Sequence, residues 1–218
     1  LENYNFFERI LFSCYGIMMY LWKLVLPHDL SCYYSYPNKQ NGMYPVIYYL
    51  SPIVIAGIAY FIYKSTRWGK EVLFGFSFFI ISIVLVLQLL PVGGTVIAER
   101  YSYLPYIGIF FIIAKAINFP IETQEENYKK YRTAGIASIV VFTIFFSYQS
   151  FARTKVWHDS LTLWNDAIEK DSTAPLPFKC RAVAYFNLKQ YNNAITDLNK
   201  AIALQNNYAE AYSVRGQC

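Results

Sequence analysis

The chain has 218 residues, of which 56% are hydrophobic, 19% aromatic and 15% charged. A charged share well below the roughly 25% of an average soluble domain argues against a soluble enzyme, and only 10 Gly and 9 Pro exclude collagen-like and low-complexity chain. The formal net charge of +5 comes from short basic clusters set between apolar runs, which reads as membrane orientation, so no nucleic-acid partner is expected.

In chain order, five apolar stretches approach the roughly 17 to 25 residues a helix needs to cross about 30 Å of hydrocarbon. They cover residues 10–26, 46–63, 72–90, 103–119 and 133–151. Lipid leaves no backbone polar group a solvent partner, so each stretch reads as a helix and not a strand. Lys23 and Lys115 stand within about a turn of their helix ends, where a long side chain snorkels to the surface. No span holds a carboxylate pair or a Gly/Pro-broken midpoint, which argues against a transporter.

With five spans, residues 1–9, 64–70 and 120–132 share one side and carry seven Lys/Arg, among them Arg9, Lys64, Arg67 and Lys130. Residues 27–45 and 91–102 carry only Lys39 and Arg100. That bias predicts a cytoplasmic first set and an extracytoplasmic tail, in a periplasm or an ER lumen. Glu122, Glu125 and Glu126 do not oppose it, because the rule counts Lys and Arg.

The tail follows different rules. Residues 1–151 hold 19 charged side chains, whereas residues 152–218 hold 14 in less than half the length. Phe178 aligns with Tyr212, Arg181 with Arg215 and Ala182 with Gly216 at a shift of 34 residues, the tetratricopeptide period. Phe178, Ala182, Tyr185, Ala194, Leu198 and Ala201 are the large and small positions that let two helices pack closely, and Leu188 to Asn192 is the expected turn. Residues 157–170 align as a capping half-repeat. The expected fold is all-α: a polytopic bundle of about five spans, then an α-solenoid of tetratricopeptide repeats over residues 152–218. Because at least about three repeats stabilise a solenoid, and because the chain opens on Leu1 and stops at Cys218 inside a helical pattern, a fragment of a longer protein is expected.

Cys14, Cys32, Cys180 and Cys218 show neither CxxC spacing nor a companion His cluster, so no zinc site and no disulfide framework is predicted. The chemistry-bearing residues stand in the loops. In Val96 to Pro105, Arg100 offers a fork of donors suited to a phosphate. Glu99 can orient it, and Tyr103 follows at the start of the next span. The same residues also read as a helix cap with aromatic-belt anchors. His28 with Asp29 is a second candidate, an acid/base pair at the membrane surface, against the reading of a helix stop at Pro27 and a polar turn. His158-Asp159 reads as a helix start, with Asp159 as the cap.

Residues 20–34 (YLWKLVLP-HDLS-YY), residues 89–108 (LLPVGG, VIAERYSYLPYIG), residues 153–168 (RTKVWHDSLTLWNDAI) and the repeats that follow resemble, in this order, the transmembrane and tetratricopeptide-repeat O-mannosyltransferases and their bacterial relatives. AERYSYLP, Ala98 to Pro105, is the most specific string. The resemblance implies a GT-C membrane glycosyltransferase. It would take a sugar, mannose by the family's name, from a polyprenyl-phosphate carrier to Ser/Thr hydroxyls of acceptor proteins selected by the repeats. It implies Arg100 as a lipid-phosphate contact and no covalently bound cofactor. Such enzymes carry their acidic catalytic residue in an early outer loop, so the stretch seen here is expected to be inactive alone. The rival expectation is a non-enzymatic, membrane-anchored repeat scaffold.

Overall fold

The computed structural model describes residues 4–39, 42–64, 70–87, 95–122 and 128–218. Among them every regular element is helical: α1 (Phe6–Val25), α2 (Val46–Lys64), α3 (Lys70–Val84), a 3-10 turn (Glu99–Ser102), α4 (Tyr103–Glu122), α5 (Tyr128–Thr154), α6 (Ser160–Lys170), α7 (Pro175–Asn187), α8 (Tyr191–Leu204) and α9 (Ala209–Gln217). Arg67, Glu125, Glu126 and residues 88–94, which include the end of the expected third span, lie outside the described residues. Two compact units are present: Leu1–His28 with Tyr36–Phe146, and Asp29–Ser35 with Ser147–Cys218.

Among the described residues Val46–Lys64 and Arg132–Thr154 are long and apolar enough to cross a membrane, and only 11% and 0% of their most apolar windows is buried. A core helix of a soluble protein would hide such residues. Here Ile53, Phe61, Val141 and Ile144 face outward. α3 and α4 run antiparallel and meet through glycines. A Cβ built on Gly108 would come within 2.3 Å of the Gly75 carbonyl oxygen, and one on Gly75 within 2.6 Å of the Gly108 oxygen. Such close backbone approach through small residues gives a tight helix–helix contact.

α1 begins with a reciprocal cap, in which Glu8 N–H donates to Asn5 Oδ1 (2.8 Å) and Asn5 N–H to Glu8 Oε2 (2.9 Å). The second Glu8 oxygen accepts from Tyr44 Oη at 2.9 Å and pairs with Lys39 Nζ at 2.8 Å. The Lys39 ammonium, more than any other group, holds the Glu8 carboxyl below the usual carboxylate range. Beside this pair Phe12, 1% exposed, meets the rings of Tyr4, Tyr36, Tyr44 and Tyr48 edge to face at centroid distances of 5.2 to 5.8 Å. The start of α1 therefore meets the approach to α2.

In the second unit α6 to α9 repeat their geometry. The residues closing α6 and α8, Asp171 and Gln205, stand 34 apart, share extended backbone, and donate N–H to Ala167 and Ala201, also 34 apart. Arg181 Nη1 donates to Asn165 Oδ1 at 2.7 Å and Arg215 Nη1 to Asn199 Oδ1 at 2.8 Å, the same bond one period on. Phe178, Ala182, Ala194, Leu198 and Ala201 form the core with Ala211, and Tyr185 packs against it. Tyr212 is 44% exposed and Gly216 is also exposed among the described residues, unlike their partners Phe178 and Ala182. The turn between α7 and α8 is tighter than expected, residues 188–190, with Lys189 at φ +60°.

The glycine contact makes a clear contrast. Gly108→Leu should cost about 3 kcal/mol or more, because the obstructing atom is backbone. Gly57→Ala, with nothing within 4 Å, should be neutral or stabilise by up to about 1 kcal/mol. Thermal midpoints of the two variants in detergent measure the difference.

Candidate functional site

Ala98 is extended (φ −145°, ψ 132°) and 1% exposed, so both its backbone polar groups need a partner inside the protein. The Tyr20 hydroxyl serves both: it accepts from Ala98 N–H at 3.0 Å and donates to Ala98 O at 3.1 Å. Ala98 O also accepts from Tyr101 N–H at 3.0 Å, which starts the 3-10 turn. Ser102 Oγ closes that turn on Glu99 O at 2.7 Å. Tyr106 Oη, from the first turns of α4, donates to Tyr20 O at 2.7 Å and ties α4 back to α1. Pro105 is fully buried in the first turn of α4, where no intrahelical bond is lost through its missing N–H.

The turn so fixed carries Glu99, Arg100 and Tyr103. Arg100 is exposed; its Nη2 donates to Tyr101 Oη at 3.4 Å and its guanidinium lies 5.0 Å from the centre of that ring. A guanidinium laid on an aromatic face keeps its charge and most of its donors available. Glu99 is half-buried at the start of the turn, and Tyr103 is 76% exposed, pointing away from the protein at the mouth of α4. The expected cluster thus places Glu99, Arg100 and Tyr103 on one short stretch. Tyr101 steadies Arg100.

His28 sits elsewhere, at the end of α1. Its Nε2 accepts from Trp22 Nε1 at 3.3 Å and its carbonyl from Lys23 Nζ at 3.2 Å. Asp29 adopts φ +48°, a left-handed turn geometry that Asp tolerates, and its carbonyl accepts from Tyr34 Oη at 3.3 Å. These contacts match a helix stop followed by a turn. Asp159 caps α6 as expected, accepting from Thr162 N–H at 2.8 Å.

Tyr20, Tyr101 and Arg153 carry roles that their positions in the sequence do not advertise. Arg153 Nη1 bonds Asp166 Oδ1 at 2.9 Å, and Lys170 Nζ reaches the same oxygen at 2.7 Å. Arg153 Nε and Nη2 and Asp166 Oδ2 are buried without a hydrogen-bond partner. Lys170 also donates to the Leu30 carbonyl, and Ser35 Oγ to Asp171, so the Asp29–Ser35 segment is clipped to the end of α6. Burial pushes the Asp166 carboxyl up, but the Arg153 and Lys170 bonds outweigh it and leave the group below the usual range. No cluster of three or more His, Cys, Asp or Glu that could hold a metal is present among the described residues.

Comparison of the chain with protein-family models, with curated proteins and with solved structures finds no match.

Two outcomes follow. Tyr20→Phe leaves Ala98 N–H buried and unpaired and its C=O with the Tyr101 N–H alone, a loss of about 1 to 3 kcal/mol; amide exchange at Ala98 and Tyr101 should accelerate while exchange in α7 and α8 stays unchanged. Because the folded Asp166 is more acidic than the unfolded one, its stabilisation is present above about pH 4 and is lost as pH falls through the folded value. Exchange in α6 of the whole chain should rise over that acidic range, and Asp166→Asn should remove that part of the pH dependence.

Proposed function

We propose that the chain is part of an integral-membrane glycosyltransferase that moves a sugar from a polyprenyl-phosphate carrier to Ser/Thr hydroxyls of proteins. The observation that carries this reading is the exposed Arg100 on a turn whose backbone is held by Tyr20 and Tyr106. A lipid phosphate has its charge at the membrane surface, and a fixed guanidinium at the mouth of an apolar helix is suited to meet it there. In this reading a base activates the acceptor hydroxyl, the hydroxyl oxygen attacks the anomeric carbon, and the phosphate leaves with the bond electrons. Arg100 stabilises the charge that develops on the leaving phosphate, Glu99 and Tyr101 orient Arg100, and Tyr103 flanks the lipid. His28 stays a weaker candidate, given its role at the end of α1. The sugar is proposed as mannose from the resemblance of Ala98 to Pro105 and its flanks.

The tail is proposed as a tetratricopeptide-type surface for acceptor or partner proteins, supported by the bond that recurs from Arg181–Asn165 to Arg215–Asn199. The same recurrence favours a second reading, a membrane-anchored scaffold without catalysis, in which the repeats alone carry the function. Four or five spans, an extracytoplasmic tail and a bundle-plus-solenoid architecture belong to both readings.

Transfer from a polyprenyl-phosphate sugar to a Ser/Thr peptide, measured on the full-length protein, separates them. Arg100→Ala should lower transfer by about 10- to 100-fold with the fold intact, the worth of one charged hydrogen bond. Arg100→Lys should recover little of it. Full activity in Arg100→Ala would remove Arg100 from the site, and no transfer with any donor would favour the scaffold.

A further inference from the structure

The hydrogen bonds and ring contacts of α1 gather near helix ends, while Ile17 and Leu21 face a cavity that Ile55, Ile58, Phe76 and Ile80 also line. Glu8, Leu11 and Phe12 meet Tyr44, Ser51 and Tyr48, which lie just before α2 or in its first two turns. A Cβ on Gly16 would sit 3.4 Å from Leu87, just past α3, and from Ile97, just before the 3-10 turn. Tyr20 holds Ala98 and receives Tyr106 from the start of α4. The antiparallel pairing of α3 and α4 puts the end of one beside the start of the other. If α1 crossed a bilayer, the connection from residue 26 to the Lys39–Tyr44 stretch would have to cross back to reach Glu8. Residues 26–39 form no helix, and irregular backbone does not cross lipid.

We propose that α1 lies in the boundary between lipid headgroups and acyl chains, across one end of the bundle, and does not span the membrane. The proposal rests on the reading of α2 and α5 as spans. The partner is the lipid surface itself. One face of α1, with Leu11, Phe12, Gly16 and Tyr20, is buried in protein, while Phe6 (72% exposed), Phe7 (65%), Trp22 (51%) and Val25 (59%) are left outward near its two ends. Aromatic side chains with an apolar body favour that depth. The adjoining first turns of α2 also leave Val46 and Leu50 outward, so the lipid-facing surface is continuous. The chain then has four spans, and its first residues join 27–45, 91–102 and the tail on one side. The cationic count becomes six in the short stretches 64–70 and 120–132 against four, Arg9, Lys23, Lys39 and Arg100, over residues 1–45 and 91–102, and six once Arg153 and Lys155 after the last span are added, so the charge bias no longer selects the orientation.

The test uses full-length protein with its native cysteines replaced, in sealed vesicles, and a membrane-impermeant maleimide. Phe6→Cys, Asn38→Cys and Ser172→Cys should react from one side and Ser65→Cys from the other. Phe6→Cys reacting with Ser65→Cys, opposite to Asn38→Cys, would overturn the proposal. Nitroxides at Phe7→Cys and Val25→Cys should report the same shallow depth. A difference of about 27 Å, the rise of a spanning helix between those two positions, would contradict it. Both labels in bulk water would contradict it as well. Release of the protein by alkaline carbonate would instead sink the membrane reading on which the proposal rests, a failure distinct from the others.

Discussion

The Tyr20 hydroxyl pairs with both polar groups of Ala98, and the exposed turn bearing Arg100 depends on that pairing for its place. Ala98 is buried in a stretch with no sheet or helix ladder of its own, so a single side chain does what a neighbouring strand would otherwise do. The bond joins residues 78 positions apart. It makes α1 a structural support of the turn, and Tyr106 adds a second tie from α4 to the same residue. Preorganisation of this kind is what allows an exposed guanidinium to favour one position of a phosphate, because little ordering is left to be done on binding.

The two units are held together internally by different physics. In the apolar unit, polar contacts are few and concentrated where helix ends meet, at Glu8–Lys39–Tyr44 and at Tyr20–Ala98. Between α3 and α4 the backbones approach through Gly75 and Gly108, where any larger side chain would strike a carbonyl. In the tail, small residues again allow close approach, with Ala182, Ala194 and Ala201 fully buried, but charge does more. Arg181 takes Asp197 from α8 at 2.7 Å and Asn165 from α6, and so links consecutive helices of the array. Asp197 is 4% exposed, so this pair is specific to one register and would be expensive to break from one side.

Much of this order is legible in the sequence because it is local. Residues 46–63, 103–119 and 133–151 announce α2, α4 and α5 by apolar length, Asp159 announces the start of α6 by its cap, and the 34-residue shift anticipates which residues of α7 and α8 are buried. At residues 10–26 a helix forms as expected and mixes Ser13, Tyr15, Tyr20 and Lys23 into its faces; that amphipathic pattern fits the proposed position of α1 at the lipid surface. Tyr20 to Ala98 and Arg153 to Asp166 had no such signal, since neither residue type nor spacing selects a partner across separate elements. Arg100 and Tyr103 were legible as a motif; the ring under Arg100 was visible only as a neighbouring tyrosine.

In the proposed function the turn from Ala98 to Tyr103 is held ready for a lipid-linked phosphate. The most direct measurement is equilibrium binding of a polyprenyl phosphate to the full-length protein in detergent, comparing the native chain with Tyr20→Phe, which keeps Arg100 but releases the backbone beneath it. A clearly weaker affinity is expected in the variant, with the fold of the repeats unchanged. Equal affinity in the two proteins would contradict it.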